Sequence, residues 1–328
     1  MAMTDDAQSA PATTHPVFAG ARPALPAEVE AGAVAAVLGI PTSAGSAKNG
    51  SENGPAMIRR ASSHMAWSTG PSVVLDLTPA DGPGQLAGVW DIGNCELGIS
   101  LAELSATAAE ILAALPAGTV LAGIGGDHSI TYPLIEALLK TRPTADLAVV
   151  QFDHHLDVQV WDLEQPNTLF NTNVMSHIAR LVGAGNVYQA GVFPYVPVVE
   201  DDAAAVRELL GRFGGQAALF SRTLHDEDLF AQWLPSGRDV YLTIDVDVLD
   251  VGEMSSTGYP AEHGLSLREL QRMVELVLRR NRVVGLDVVE FATTKISHRT
   301  IFDAGRVANL LQFILSTLAD QRRPGRQQ

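Results

Sequence analysis

Cysteine is almost absent from this chain of 328 residues; Cys95 stands alone. One thiol excludes an intrachain disulfide and a thiolate metal cluster, so the cytoplasm is the expected compartment. Long apolar runs are missing too. No stretch approaches the roughly 20 apolar residues that a membrane helix needs, and no charged-then-apolar leader is seen, so no membrane partner is expected. Positive charge is scarce, with 22 Lys and Arg against 37 Asp and Glu. The formal charge of −15 argues against a nucleic-acid surface and suits a multivalent cation. Internal repeats and convincing linkers are also lacking. A length prior of about 150 residues per domain would allow two domains, but one long α/β domain is the better expectation.

What is present is ordinary for a globular enzyme, 46% hydrophobic and 18% charged. Residues 1–30, rich in Ala, Pro and Thr, are expected to form a flexible N-terminal arm, and 321–328 a polar tail; 31–320 is the domain. Between them, apolar runs at 33–40, 119–126, 147–153, 186–192, 239–245 and 282–291 read as strands. Helical spacing occupies 101–114, 133–141, 203–212, 266–280 and 303–318. Near-continuous apolar strands alternating with helices predict a parallel sheet covered on both faces.

Three polar clusters follow apolar strands. FDHHLDV at 152–158 holds Asp153, His154, His155 and Asp157. Strand alternation would project Asp153, His155 and Asp157 together and His154 the other way, against a helix. At the carboxyl end of a parallel strand, such a group can hold a divalent cation; a polar strand end meeting solvent gives the same pattern. YLTIDVDVLD adds Asp245 and Asp247, two carboxylates that repel each other unless a cation lies between them. LAGIGGDHSIT at 121–131 turns through a glycine pair into Asp127 and His128, which is either a helix cap or a ligand turn. The six candidates, His128, Asp153, His155, Asp157, Asp245 and Asp247, are too oxygen-rich for one structural zinc. They suit two octahedral-leaning ions such as manganese, which lower the pKa of a shared water. Hydrolysis is the reaction class that follows.

With GGDHS at 125–129, DHHLD at 153–157 and TIDVDVLD at 243–250, the chain resembles the ureohydrolase family of arginases, agmatinases, guanidinobutyrases and formimidoylglutamases. LGIPTSAGSAKNGSENGPAMIRRAS (38–62), VWDIGN (89–94), TGYPAEHGLSLRE (257–269) and GLDVVEF (285–291) extend the resemblance from 33 to about 318. It implies a three-layer α/β/α sandwich around an eight-stranded, mainly parallel sheet. It also implies two Mn2+ ions, with Ni2+, Co2+ or Zn2+ as other occupants of such a site. One ion would take His128, Asp153, Asp157 and Asp245; the other Asp153, His155, Asp245 and Asp247, with Asp153 and Asp245 bridging. A bridging hydroxide would attack a guanidinium carbon, Asp157 would relay its proton, and Glu290 would pair with the guanidinium. The family also implies a homo-oligomer, trimer or hexamer.

The sequence departs from the family pattern in ways that bear on substrate. The His-Gly proton shuttle expected after DxHxD is absent, and Asn171 takes its position. Either His177 or His263 serves instead, or the leaving group needs less help. Tyr259 replaces the threonine of TGTP, and His263 falls where glycine is usual; Tyr259 and Asn171 are expected to border the substrate. Gln159 is the one remnant of the polar set that reads the carboxylate of arginine. The sequence therefore points to hydrolysis of a guanidino compound other than free arginine, giving urea and an amine. The alternatives are a formimidoylglutamase-like amidine hydrolase releasing formamide, and a catalytically silent metal-binding relative.

Overall fold

The structure, a computed structural model, describes residues 16–63, 75–76, 84–85, 87–144, 146–158, 168–195, 200, 203–204, 207–208, 218–221, 224 and 226–322. Nine parallel strands form one sheet: β1 (Arg22–Pro23), β2 (Ala35–Gly39), β3 (Val89–Asn94), β4 (Val120–Ile124), β5 (Leu147–Phe152), β6 (Val187–Val192), β7 (Ala218–Phe220), β8 (Asp239–Asp245) and β9 (Arg282–Val289). Their spatial order is β1-β3-β2-β4-β9-β8-β5-β6-β7. The expected count of eight grows by one because two residues of the supposed arm, Arg22 and Pro23, pair with Trp90 and Asp91 on the edge.

Burial on both faces explains the apolar strands. In β2, Ala35 and Val37 join the core under α1 (Gly54–Ser63), α5 (Glu227–Trp233), α6 (Leu267–Arg280) and α7 (His298–Gln321). Ala36 and Leu38 join the opposite core, under α2 (Leu101–Ala114), α3 (Thr131–Thr141) and α4 (Val174–Val182). Helix–sheet–helix layering follows from that alternation. Serine capping boxes start two of the helices, Ser100 with Glu103 for α2 and Ser266 with Glu269 for α6. On α6, Leu270, Met273, Val274, Val277 and Leu278 are buried at helical spacing. Each such side chain contributes about 1.5–3 kcal/mol over leaving it in water.

Residues 16–30, read from composition as part of a flexible arm, are laid against the domain instead. Phe18 is buried, its amide donates to Asp91 at 2.8 Å, and the Ala19 amide donates to Ser62 at 3.0 Å. Asp91 is itself held by the fully buried Arg59 through Nε at 2.8 Å and Nη2 at 2.9 Å. Composition could not reveal this, because the anchor is one aromatic and a buried ion pair rather than a periodic stripe. At the other end, α7 runs to Gln321, and Arg322 donates to the carbonyl of Ala33 at 2.8 Å.

Candidate metal centre

The central strands β4, β9, β8 and β5 lie side by side, so the residues that leave their carboxyl ends converge. After β4 the glycine pair lets the chain pass close to its neighbours; a Cβ on Gly126 would meet the Thr42 carbonyl at 2.4 Å. Asp127 then accepts the Ser129 and Gly45 amides, both at 3.0 Å, and His128 turns over the sheet. β5 stops at Phe152, and residues 153–157 are irregular, with Asp157 at φ 49. β8 delivers Asp245, whose Oδ1 accepts the Asp247 amide at 2.8 Å. β9 delivers Glu290 at φ 63. Two non-glycine residues in the left-handed region at one site mark conformations that the surroundings impose.

The six expected ligands come together as two groups. His128, Asp153, Asp157 and Asp245 form one, and Asp153, His155 and Asp247 the other; within each, one ligand atom per residue lies within 4.8 Å of the others. Around His128 Nδ1 stand Asp157 Oδ2 at 3.0 Å, Asp153 Oδ2 at 3.1 Å and Asp245 Oδ2 at 3.3 Å. His155 Nδ1 lies 3.1 Å from Asp247 Oδ2 and 3.5 Å from Asp153 Oδ1. Asp153 therefore reaches both groups with different oxygens. Asp245 is grouped only with the first set, and the bridging expected of it is not seen in this geometry.

These atoms fit a divalent cation. Nε2 of His128 lies 3.0 Å from Thr243 Oγ1, and that hydroxyl donates to Asp287 at 2.6 Å. Thr243 thus accepts the Nε2 proton, so the neutral ring offers its Nδ1 lone pair to a cation. Without one, burial opposes charge on the ring, but Asp153, Asp157 and Asp245 raise its proton affinity well above the ordinary histidine value. Three carboxylate oxygens crowd that lone pair, and buried Nδ1 has no hydrogen-bond partner. Four acceptors facing one point call for a positive charge there. The same frustration appears in the proton affinities. Burial, then the charge of Asp153, raises the Asp157 carboxyl to about 7. Burial, then Asp247 and Asp153, raises Asp245 well above the carboxylate range. Burial opposes charge on His155, yet hydrogen bonds to Asp153 and Asp247 push it up to about 12.

A polar row beneath the cluster, not picked out from the sequence, supports it. Gln189, Gln151, Thr243 and Asp287 are neighbours in register on four adjacent strands, β6, β5, β8 and β9. Gln189 donates to Gln151 at 2.7 Å, Gln151 donates to Asp153 at 2.6 Å, and Tyr241 donates to Asp287 at 2.7 Å. The signal was available as single polar residues inside apolar strands (LAVVQF, DVYLTID, RVVGLDVV, VYQAGV).

Glu290 closes the site. Its Oε1 accepts the His128 amide at 2.9 Å and Asn171 Nδ2 at 3.0 Å, and no described group donates to Oε2. Burial, then the charge of Asp127, raises its carboxyl to about 8. Asn171, expected where family members carry a shuttle, is thus a clamp on Glu290. His177 lies on α4, where its ring meets Tyr132 edge-on at 5.8 Å and hydrogen-bonds to the backbone of Thr168; none of these contacts reaches the ligands. His263, at φ 64, is exposed, and its amide donates to Asp250 at 3.0 Å. Tyr259 sits at the mouth, 6.1 Å edge-on from His155. Gln159 lies outside the described residues. His154 is in neither ligand group; it stacks on Phe193 at 5.1 Å rather than against a helix, meets the His155 ring edge-on at 5.4 Å, and its Nδ1 has no partner.

Comparison with known proteins agrees with this geometry. The model of the arginase family matches residues 33–311. An agmatinase of Bacillus subtilis is 31% identical over 173 residues, 52% of this chain and 54% of that protein. An N(1)-aminopropylagmatine ureohydrolase of Thermus thermophilus is 33% identical over 190 residues, 56% of this chain and 58% of that protein. The chain thus spans about half the length of these curated relatives. The solved formimidoylglutamase of Bacillus subtilis has a TM-score of 0.71 at 18% identity, covering 97% of this chain and 96% of that one, which is a likeness of fold. Among the described residues, no helix is long and apolar enough to cross a membrane.

Proposed function

The chain belongs to the arginase family, and on that premise we propose that it is a binuclear metal amidinohydrolase that cleaves a guanidino compound other than free arginine. Water adds to the guanidinium carbon, the bond to the alkyl-bearing nitrogen breaks, and urea and a protonated amine leave. Two divalent ions, one per ligand group, would supply a water acidified to near neutrality and positive charge for the developing oxyanion. His128, Asp153, Asp157 and Asp245 would hold one and Asp153, His155 and Asp247 the other. Manganese suits a donor set of four carboxylates and two imidazoles, and Ni2+, Co2+ or Zn2+ could enter the same oxygen-rich shell. A cytoplasmic homo-oligomer, trimer or hexamer, belongs to the same proposal.

The residues divide the remaining work. Glu290 Oε2, unclaimed by any described donor, takes the guanidinium, and its two clamps on Oε1 keep that oxygen aimed. Pairing with a cation returns the buried carboxyl to its ionised form. Asp157 is placed to take a proton from the attacking water and pass it to the departing nitrogen. His177 has no contact that would let it replace the missing shuttle; His263 stays within the proposal as a rim group. The observation that carries the reading is His128 Nδ1, buried, unpartnered and ringed by three carboxylates. Manganese-loaded protein should release urea from at least one member of a broad guanidine panel, and Asp245→Ala protein should not. Formamide from an amidine panel instead of urea, or identical behaviour of the two proteins, would contradict it.

A further inference from the structure

At the mouth of the site, Lys48 and the open oxygen of Glu290 both border Gly258. Lys48 reaches in from the loop between β2 and α1; its Nζ donates to the Gly258 carbonyl at 2.5 Å and lies 3.4 Å over the Tyr259 ring. A Cβ placed on Gly258 would sit 3.7 Å from Lys48 Cδ and 3.8 Å from Glu290 Oε2, with no other atom nearer. Gly258 thus leaves a slot whose two sides are a carboxylate and a lysine stem. Among the described residues no carboxylate forms an ion pair with the Lys48 ammonium, whose contacts are the Gly258 carbonyl and the Tyr259 ring. Of its three donors, one serves the carbonyl and the ring takes the cation's face, which leaves capacity for an anion.

Resting on the amidinohydrolase reading above, we propose that the substrate is a short guanidino acid, bound with its guanidinium on Glu290 and its carboxylate on Lys48. An anionic tail gains the Lys48 charge, whereas a cationic tail, such as the one agmatine carries, meets like charge at the same point. Tyr259 acts as a specificity residue with Lys48, because its ring face holds the ammonium beside the slot. The substrate class therefore differs from those named for the two curated relatives above, both of which end in amines.

The test compares 4-guanidinobutyrate with agmatine on manganese-loaded protein, wild type against Lys48→Gln and Lys48→Glu. The expected wild-type ratio of kcat/KM is about tenfold in favour of the acid, near unity in Lys48→Gln and inverted in Lys48→Glu, as exposed charge pairs allow. Calorimetric binding of the bare tails, 4-aminobutyrate and putrescine, should show the same order without turnover, and unchanged melting of the variants controls for folding. A wild-type preference for agmatine and putrescine, or ratios that Lys48→Glu leaves unmoved, overturns the proposal. If neither these guanidines nor any other member of the panel yields urea, the hydrolase reading fails on its own, and the binding order of the bare tails still decides the role of Lys48.

Discussion

The floor and the rim of this site are built on different principles. On the floor, every ligand leaves a central strand, and a row of polar side chains from four neighbouring strands locks the ligands in place. Gln151 fixes Asp153, and the Thr243–Asp287 pair fixes His128, each within a fully buried network. The rim comes from loops. Lys48, Tyr259 and His263 are exposed; Lys48 meets the Tyr259 ring face and the Gly258 carbonyl, and His263 stands at a positive φ. A floor of this kind can support one chemistry across many proteins, while a rim of this kind is free to change the substrate.

The sharpest way to break the comparison is at its border, where His155 belongs to the floor by function and to the rim by exposure, its side chain 43% accessible. His155→Ala should lose the second ion at micromolar metal while keeping the first, and His154→Ala should retain both, since the His154 ring stacks on Phe193 and belongs to neither ligand group. Metal content after gel filtration reads this directly, and equal losses would erase the distinction. A smaller effect is expected one layer down. Thr243→Val removes the acceptor that orients His128 and should weaken the first ion about 10–100-fold, the usual cost of losing an outer partner of a ligand. Competition with a chelator measures it, and an unchanged affinity would mean that the polar row is packing alone.

Much of the floor was legible in the sequence, for reasons that can be named. Asp153, His155, Asp157, Asp245 and Asp247 each follow an apolar strand, and parallel strands put such ends on one edge of a sheet. His154 lies outside both ligand groups, but strand alternation is not the cause. The strand ends at Phe152, and the left-handed Asp157 redirects the irregular turn. Alternation also grouped His155 with Asp157, whereas the turn delivers them to different ion positions. Gln151, Thr243 and Asp287 escaped notice because one polar residue in a strand carries no period. The role of Asn171 escaped because a clamp on Glu290 is a contact across 119 positions. Lys48 is 210 positions from Gly258, and no local pattern joins them. The segment 203–212, read as a helix, is described only at 203–204 and 207–208, both helical.

The most direct test of the account is the number of ions the folded protein holds. Metal-free protein titrated calorimetrically with Mn2+, with the bound metal counted by elemental analysis, should take up two ions per chain. The uptake should fall to one in His155→Ala. A wild-type protein that binds a single ion, or none, would contradict the two-ion floor on which the proposed chemistry rests.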